Sequence, residues 1–268
     1  MNKDGVLVQL AEYLGAFRCH ANLFGEIAGI VAKSGYERNF FALLVVQLHI
    51  LTAQGKNSIR FAGFECLKHS DGELYSMHLD GRDFNLRILY SFLPDHTPVL
   101  LTAFFERGGK RTSDYTPYIP VAKERLNHER SFLIMSRSEF NSFVDSILPE
   151  SSAEDLQYLV LCGMIGAEIV MKRREMGMNQ KEFAHLMGVS QGLVSRWEHG
   201  EANFTLETLV KIASKLGLEM QSPIKPSPAK VPYLPKGKVV YLSSKKGWSA
   251  QSYNESNSYT EFEEFKEM

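Results

Sequence analysis

Between Glu37 and Ala53, apolar residues recur at Phe40, Leu43, Leu44, Leu48 and Leu51, a period that predicts a buried helix. Gln54-Gly55-Lys56-Asn57 ends it. The period then changes to short apolar or alternating runs: Phe61 to Leu67, Leu74 to Leu79, Phe84 to Phe92 and Val99 to Phe105. Ser70-Asp71-Gly72, Asp80-Gly81-Arg82 and Pro94-Asp95-His96 separate them, and Asp-Gly between alternating hydrophobic residues favours the tight turns of hairpins. The expectation is a four-stranded antiparallel meander, closed by a helix after Pro120 that carries Ala122, Arg125 and Leu126. Helices packed on one small sheet make residues 1–130 an α+β domain. Residues 1–36 leave two readings open: helix, or an extra strand over Phe17 to Ala21.

Further along, the text changes twice. Residues 131–152 read as an acidic connector; Arg137 is the lone cation near Glu139, Asp145, Glu150, Glu154 and Asp155. Residues 153–221 read as a compact set of helices, the last running from a cap at Thr205 to Leu216 and closed by Gly217. Residues 222–268 form a tail. SPIKPSPAKVPYLPKGK is a Pro/Lys-rich, extended spacer, GKVVYLSS has the pattern of one strand, and NESNSYTEFEEFKEM is acidic and aromatic.

Within the helical set, residues 178–201 carry the densest punctuation. Asn179 is placed to cap a helix with Phe183, Ala184 and Met187 on its inner face. Gly188 breaks it, Val189 plugs the turn, and Ser190 caps a second helix that turns Val194 and Trp197 inward before Gly200 stops it. Two short helices joined by a tight turn containing Gly form the unit that lays its second helix in the DNA major groove. Gln191, Gly192, Ser195 and Arg196 fall on the outward face of that helix, small or hydrogen-bonding as base-edge readers must be.

Composition narrows the classes. A length of 268 residues leaves room for two domains, and 44% hydrophobic with 23% charged residues is ordinary for a globular chain. The net charge of −1 supplies no global field for nucleic acid, so attraction to DNA must be local, from Lys172, Lys181 and Arg196. Three scattered cysteines without a C-x-x-C pair point to reduced thiols in a cytoplasmic protein and to no metal site or cofactor. The longest apolar run, Phe40 to Leu51, is interrupted by Gln47 and His49 and is too short to span a bilayer, so no membrane partner is expected.

QKEFAHLMGVSQGLVSRWEHG resembles the Cro/λ-repressor type of DNA-binding domain, over about Glu168 to Leu218. The resemblance implies that Gln180 binds phosphate from a helix N-terminus. It also implies that Ser190 and His199 lie near the DNA backbone and that Gln191, Ser195 and Arg196 face bases. Gly192 departs from the bulkier residue often found at its position. Arg173 and Glu198 look like a structural ion pair. Operator DNA is the implied partner, read by a homodimer with Leu206, Leu209, Ile212 and Leu216 as core or seam.

The segments LYSMHL, LRILYSF, VLLTAFFERGGKRT and AKERL, in that order, resemble the RelE/HigB superfamily of toxins over about Phe40 to Glu129. The second half, with the lead-in EDLQYLVLCGMIGAEIVMKRREMG, resembles HigA antitoxins. Together they imply a fused toxin–antitoxin. Its front half would be a metal-free, ribosome-dependent mRNA endoribonuclease, held silent by a DNA-binding autorepressor behind it. Arg87 would then clamp phosphate, with Arg107, Lys110 and Arg111 in the glycine-containing loop stabilising developing charge. His78 would exchange a proton. The acidic segment 137–155 or the tail would cover the cationic patch, unless the segment is a solvated linker, and Met135 reads either as an internal start or as an ordinary buried methionine. Two other readings stay open: a transcriptional regulator with a catalytically inert RelE-like sensing or interaction domain, and a scaffold in which neither half acts alone.

Overall fold

A computed structural model describes residues 3–14, 17–67, 74–106, 114–127, 132–134, 137–220, 239–242 and 248–251. The chain divides into two units, residues 1–221 and 222–268. In the second, β7 (Val239–Leu242) and β8 (Trp248–Gln251) pair antiparallel.

The first unit is built on a six-stranded mixed sheet of order β2-β3-β4-β5-β1-β6. Its centre is the expected meander: β2 (Phe64–Cys66), β3 (Tyr75–Asp80), β4 (Asn85–Phe92) and β5 (Pro98–Phe105), each antiparallel to the next. Gly81 makes the β3–β4 turn possible, because a Cβ there would lie 2.1 Å from the Phe84 ring. Two strands extend the expected four. β1 (Arg18–His20) runs parallel to β5, which settles the open reading of residues 17–21, and β6 (Phe132–Ile134) pairs antiparallel with β1. A parallel neighbour needs a long connection, and here it runs through α2 (Leu23–Val31), α3 (Glu37–Gln54), the 3-10 turn Gly55–Arg60 and then β2, β3 and β4.

Helix α3 is buried along almost its whole length, from Phe40 to Leu51. It is sandwiched between the sheet residues Met77, Leu86 and Ile88 and further helices that share its core. Those are α1 (Lys3–Leu14), α5 (Arg137–Ile147) and α6 (Ala153–Glu175). On the opposite sheet face, α4 (Ile119–Asn127) sets Ala122 against Leu74, Leu89, Val99 and Leu101.

The stretch expected to be an acidic connector is therefore largely structural. Phe140, Phe143, Val144 and Ile147 sit at i, i+3, i+4 and i+7 and are buried, while Asp145 points outward to an ion pair with Lys3 at 2.6 Å. Likewise Leu156, Leu159, Val160, Ala167 and Val170 of α6 belong to the same core as α3. Met135 lies outside the described residues.

All three cysteines are free. Burial pushes the Cys19 thiol up to about 12, with nearby Glu139 adding to it, and burial also raises Cys162. Among the described residues, no helix is long and apolar enough to cross a membrane.

Candidate nucleic-acid interface

Helices α7 (Gln180–Met187), α8 (Gln191–Glu198) and α9 (Leu206–Leu216) close a separate small core with the end of α6. Phe183, Val194 and Trp197 meet Ile169, Ile212 and Leu216 there. Each start and stop has a local chemical cause. Asn179 accepts from the backbone N–H of Lys181 and Glu182, and Glu182 reaches back to the Asn179 N–H at 2.7 Å, a capping box. Gly188 takes the left-handed conformation at φ 68° and turns the chain. Ser190 then caps α8 by accepting from Leu193 N–H. Asn179→Ala is expected to lower stability by about 1 kcal/mol in urea denaturation, with the fold retained.

A buried ion pair fixes the angle at which α8 is presented. Arg173 and Glu198 are 5% and 6% exposed. The guanidinium donates through Nε to Oε1 at 2.5 Å and through Nη2 to Oε2 at 2.8 Å, and its Nη1 donates to the Met178 carbonyl at 2.7 Å. Gln180 Nε2 donates to the same Glu198 Oε2 at 2.9 Å, and Gln191 Nε2 donates to Gln180 Oε1 at 2.6 Å. Gln180 thus bridges the scaffold pair to the first residue of α8, a linkage that its expected role as a lone phosphate ligand did not include.

The remaining expected DNA-binding residues fall around one surface. Lys181, Ser190, Gln191, Gly192 and Arg196 are exposed, and Ser195 and His199 are partly so. A Cβ at Gly192 would meet nothing within 4 Å, so the missing side chain leaves open space there. Arg196 reaches the Glu201 carbonyl at 3.4 Å, a weak tether that leaves the guanidinium at the surface. His199 Nδ1 donates to the Ser195 carbonyl at 2.6 Å, which leaves Nε2 as its free ring nitrogen.

Beside this surface lies a cleft of about 790 Å3 that the sequence did not announce. One wall is Asn179, Gln180, Lys181 and Gln191; the other is Arg60, Phe61, His78 and Asp80, with Gln47 and Arg174 also lining it. The reading helices and the sheet half thus share a concavity. Arg60 and Arg174 have no signature in the sequence, because Arg60 lies far from the helix-turn-helix and Arg174 just before its two helices, and only packing brings them to the cleft.

The residues expected to form an RNA-cleaving site are distributed differently. Arg107, Lys110 and Arg111 lie outside the described residues. His78 and Arg87 are direct cross-strand partners on β3 and β4. Arg87 is 6% exposed, hydrogen-bonded to Asp80 and 2.5 Å from a Glu106 carboxylate oxygen. His78 lies 2.9 Å from Glu65, and the Tyr115 hydroxyl also bonds Glu65. Arg87 is therefore ringed by Asp80 and Glu106, with Glu65 close by at His78. Its fork is neutralised by the protein's own carboxylates, not by the acidic segment 137–155, and a phosphate would have to displace them against like charge.

A family profile described as helix-turn-helix matches residues 169–222. A Haemophilus influenzae protein described as an uncharacterized HTH-type transcriptional regulator is 34% identical over 80 residues, which cover 30% of this chain and 79% of that protein. No solved structure matches.

Proposed function

Because the chain belongs to the family of helix-turn-helix transcriptional regulators, we propose that it is a sequence-specific repressor that acts on its own promoter. The observation that carries this is the presentation of α8. The Arg173–Glu198 pair and the Gln180 bridge hold it rigidly, while Gln191 and Arg196 are exposed at its surface and Ser195 partly so. Preorganised side chains of this kind suit bidentate hydrogen bonds to purine edges in the major groove. The reading includes a homodimer: Leu206 and Val210 on α9 are 65% and 53% exposed, large apolar side chains suited to a second copy.

In this reading the sheet half does no catalysis, because Arg87 is already occupied by Asp80 and Glu106. The competing reading is the fused toxin–antitoxin with a ribosome-dependent endoribonuclease in front. That reading holds the full chain silent, so ribosome-dependent mRNA cleavage by a fragment that keeps α5 and α6 but lacks α7 to α9 would favour it. A fragment ending at residue 133 is a poor probe, since α5 and α6 complete the core that it would leave open.

The test is selection of binding sites from random duplexes with the full chain, followed by footprinting on the DNA upstream of its own coding sequence. An inverted repeat should emerge. Arg196→Ala should weaken the selected site by about 1–3 kcal/mol while relaxing preference at one position in each half-site. Absence of any sequence preference, or an equal loss on random DNA, would overturn the reading.

A further inference from the structure

We propose that the sheet half is itself part of the DNA interface: Arg60, Arg174 and Lys181 form a line of phosphate contacts along the shared cleft, beside the groove that α8 reads. The inference rests on the DNA-binding reading above and extends it to residues outside the helix-turn-helix.

The charge pattern of the first unit carries the argument. Many of its cations are spent internally: Lys3 on Asp145, Arg38 on Asp155, Arg125 on Glu26, Lys172 on Glu175, Arg173 on Glu198 and Lys211 on Glu207. Arg60, Arg174 and Lys181 all line the cleft, all are exposed, and none has a carboxylate partner among the described residues. Two acids line the cleft, and each has a cation of its own: Glu198 is paired with Arg173, and Asp80, on the wall that carries Arg60, with Arg87. A cleft with three unspent cations in a chain of net charge −1 is a local positive field, the kind that sequence-independent backbone binding requires.

Position agrees with charge. Lys181 sits in the first turn of α7, at the positive end of that helix. Arg174 Nη2 donates to the Arg60 carbonyl at 2.7 Å, so the 3-10 turn that ends in Arg60 is tied directly to the end of α6, just before the reading helices. Gln191, the first residue of the reading helix, borders the same cleft. A backbone strand passing the N-terminus of α7 therefore runs between the two walls, and the two halves of the unit grip it from both sides.

The experiment uses the full chain and a short random-sequence duplex, with affinity followed by fluorescence anisotropy over a range of KCl. Arg60→Ala and Arg174→Ala should each lower the slope of log affinity against log salt by about 0.9, and the double variant by about twice that. Arg60→Lys should keep the wild-type slope, because it keeps the charge. Thermal melting checks folding. If Arg174→Ala melts early through loss of its bond to the Arg60 carbonyl, Arg60→Ala, at an exposed position, decides alone. An unchanged slope in Arg60→Ala overturns the inference; it leaves the regulator reading standing where Arg196→Ala still weakens the selected operator. Failure of the wild type to bind any duplex overturns both.

Discussion

Glu198→Ala is expected to lower stability by about 3–5 kcal/mol, the usual consequence of removing one partner of a buried ion pair. The loss has a definite origin. Arg173 is 5% exposed and donates two of its hydrogen bonds to the Glu198 carboxylate, so truncation leaves a charged guanidinium out of water with only the Met178 carbonyl for company. Gln180 loses its acceptor at the same time, and with it the link that runs through Gln191 to the start of α8. Urea denaturation gives the stability change. Replacing both partners, with Arg173→Met and Glu198→Leu, should recover much of it, because an apolar pair of similar volume carries no desolvation cost. The double variant should nonetheless bind its operator less well than wild type, since Gln180 is no longer anchored. A loss below about 1 kcal/mol in Glu198→Ala would place the pair among solvated surface contacts and remove the reason for calling α8 preorganised.

How far such a site can be read from sequence depends on whether its causes are local. The helix-turn-helix was legible because Asn179, Gly188, Ser190 and Gly200 each act on neighbours a few residues away, and Arg173 with Glu198 could be paired through the family likeness. The meander was legible for the same reason: Asp80-Gly81 marks a turn wherever alternating runs flank it. β1 has no local signature, because three residues, Arg18–His20, become a strand only through pairing with β5, some eighty positions on. α5 reads as a spacer because the acids and serines of its segment dominate the composition and hide the Phe140–Phe143–Val144–Ile147 stripe. Arg87 was a plausible phosphate ligand in one dimension. In three, Asp80 comes to it from β3 and Glu106 from the end of β5, and neither approach has a signature in the residues next to Arg87.

Gly166→Val is expected to lower the melting temperature by about 6–12 °C, equivalent to about 3 kcal/mol in a unit of this size. A Cβ at Gly166 would stand 2.7 Å from the Trp197 carbonyl oxygen and 3.3 Å from Val46, and one at Gly163 would stand 2.8 Å from the Ala42 carbonyl oxygen. Gly200, at φ +71°, lies against Ala42 and Gly163 on the same line. α3 of the sheet half, α6 and the end of the reading helix therefore meet backbone to backbone, and two of the closest obstacles are carbonyls that no rotamer change can move. Melting at the wild-type temperature would show that the seam at Gly166 is loose enough to take a branched side chain. If the variant instead folds with the seam wedged open, α8 keeps its own caps and inward residues and should still prefer its operator. What it should lose is part of the Arg60 share of the salt dependence, because this seam, with the Arg174 bond to the Arg60 carbonyl, holds the 3-10 turn near α7. Sequence preference retained with a shallower salt slope would separate what the helix-turn-helix reads from what the sheet half holds.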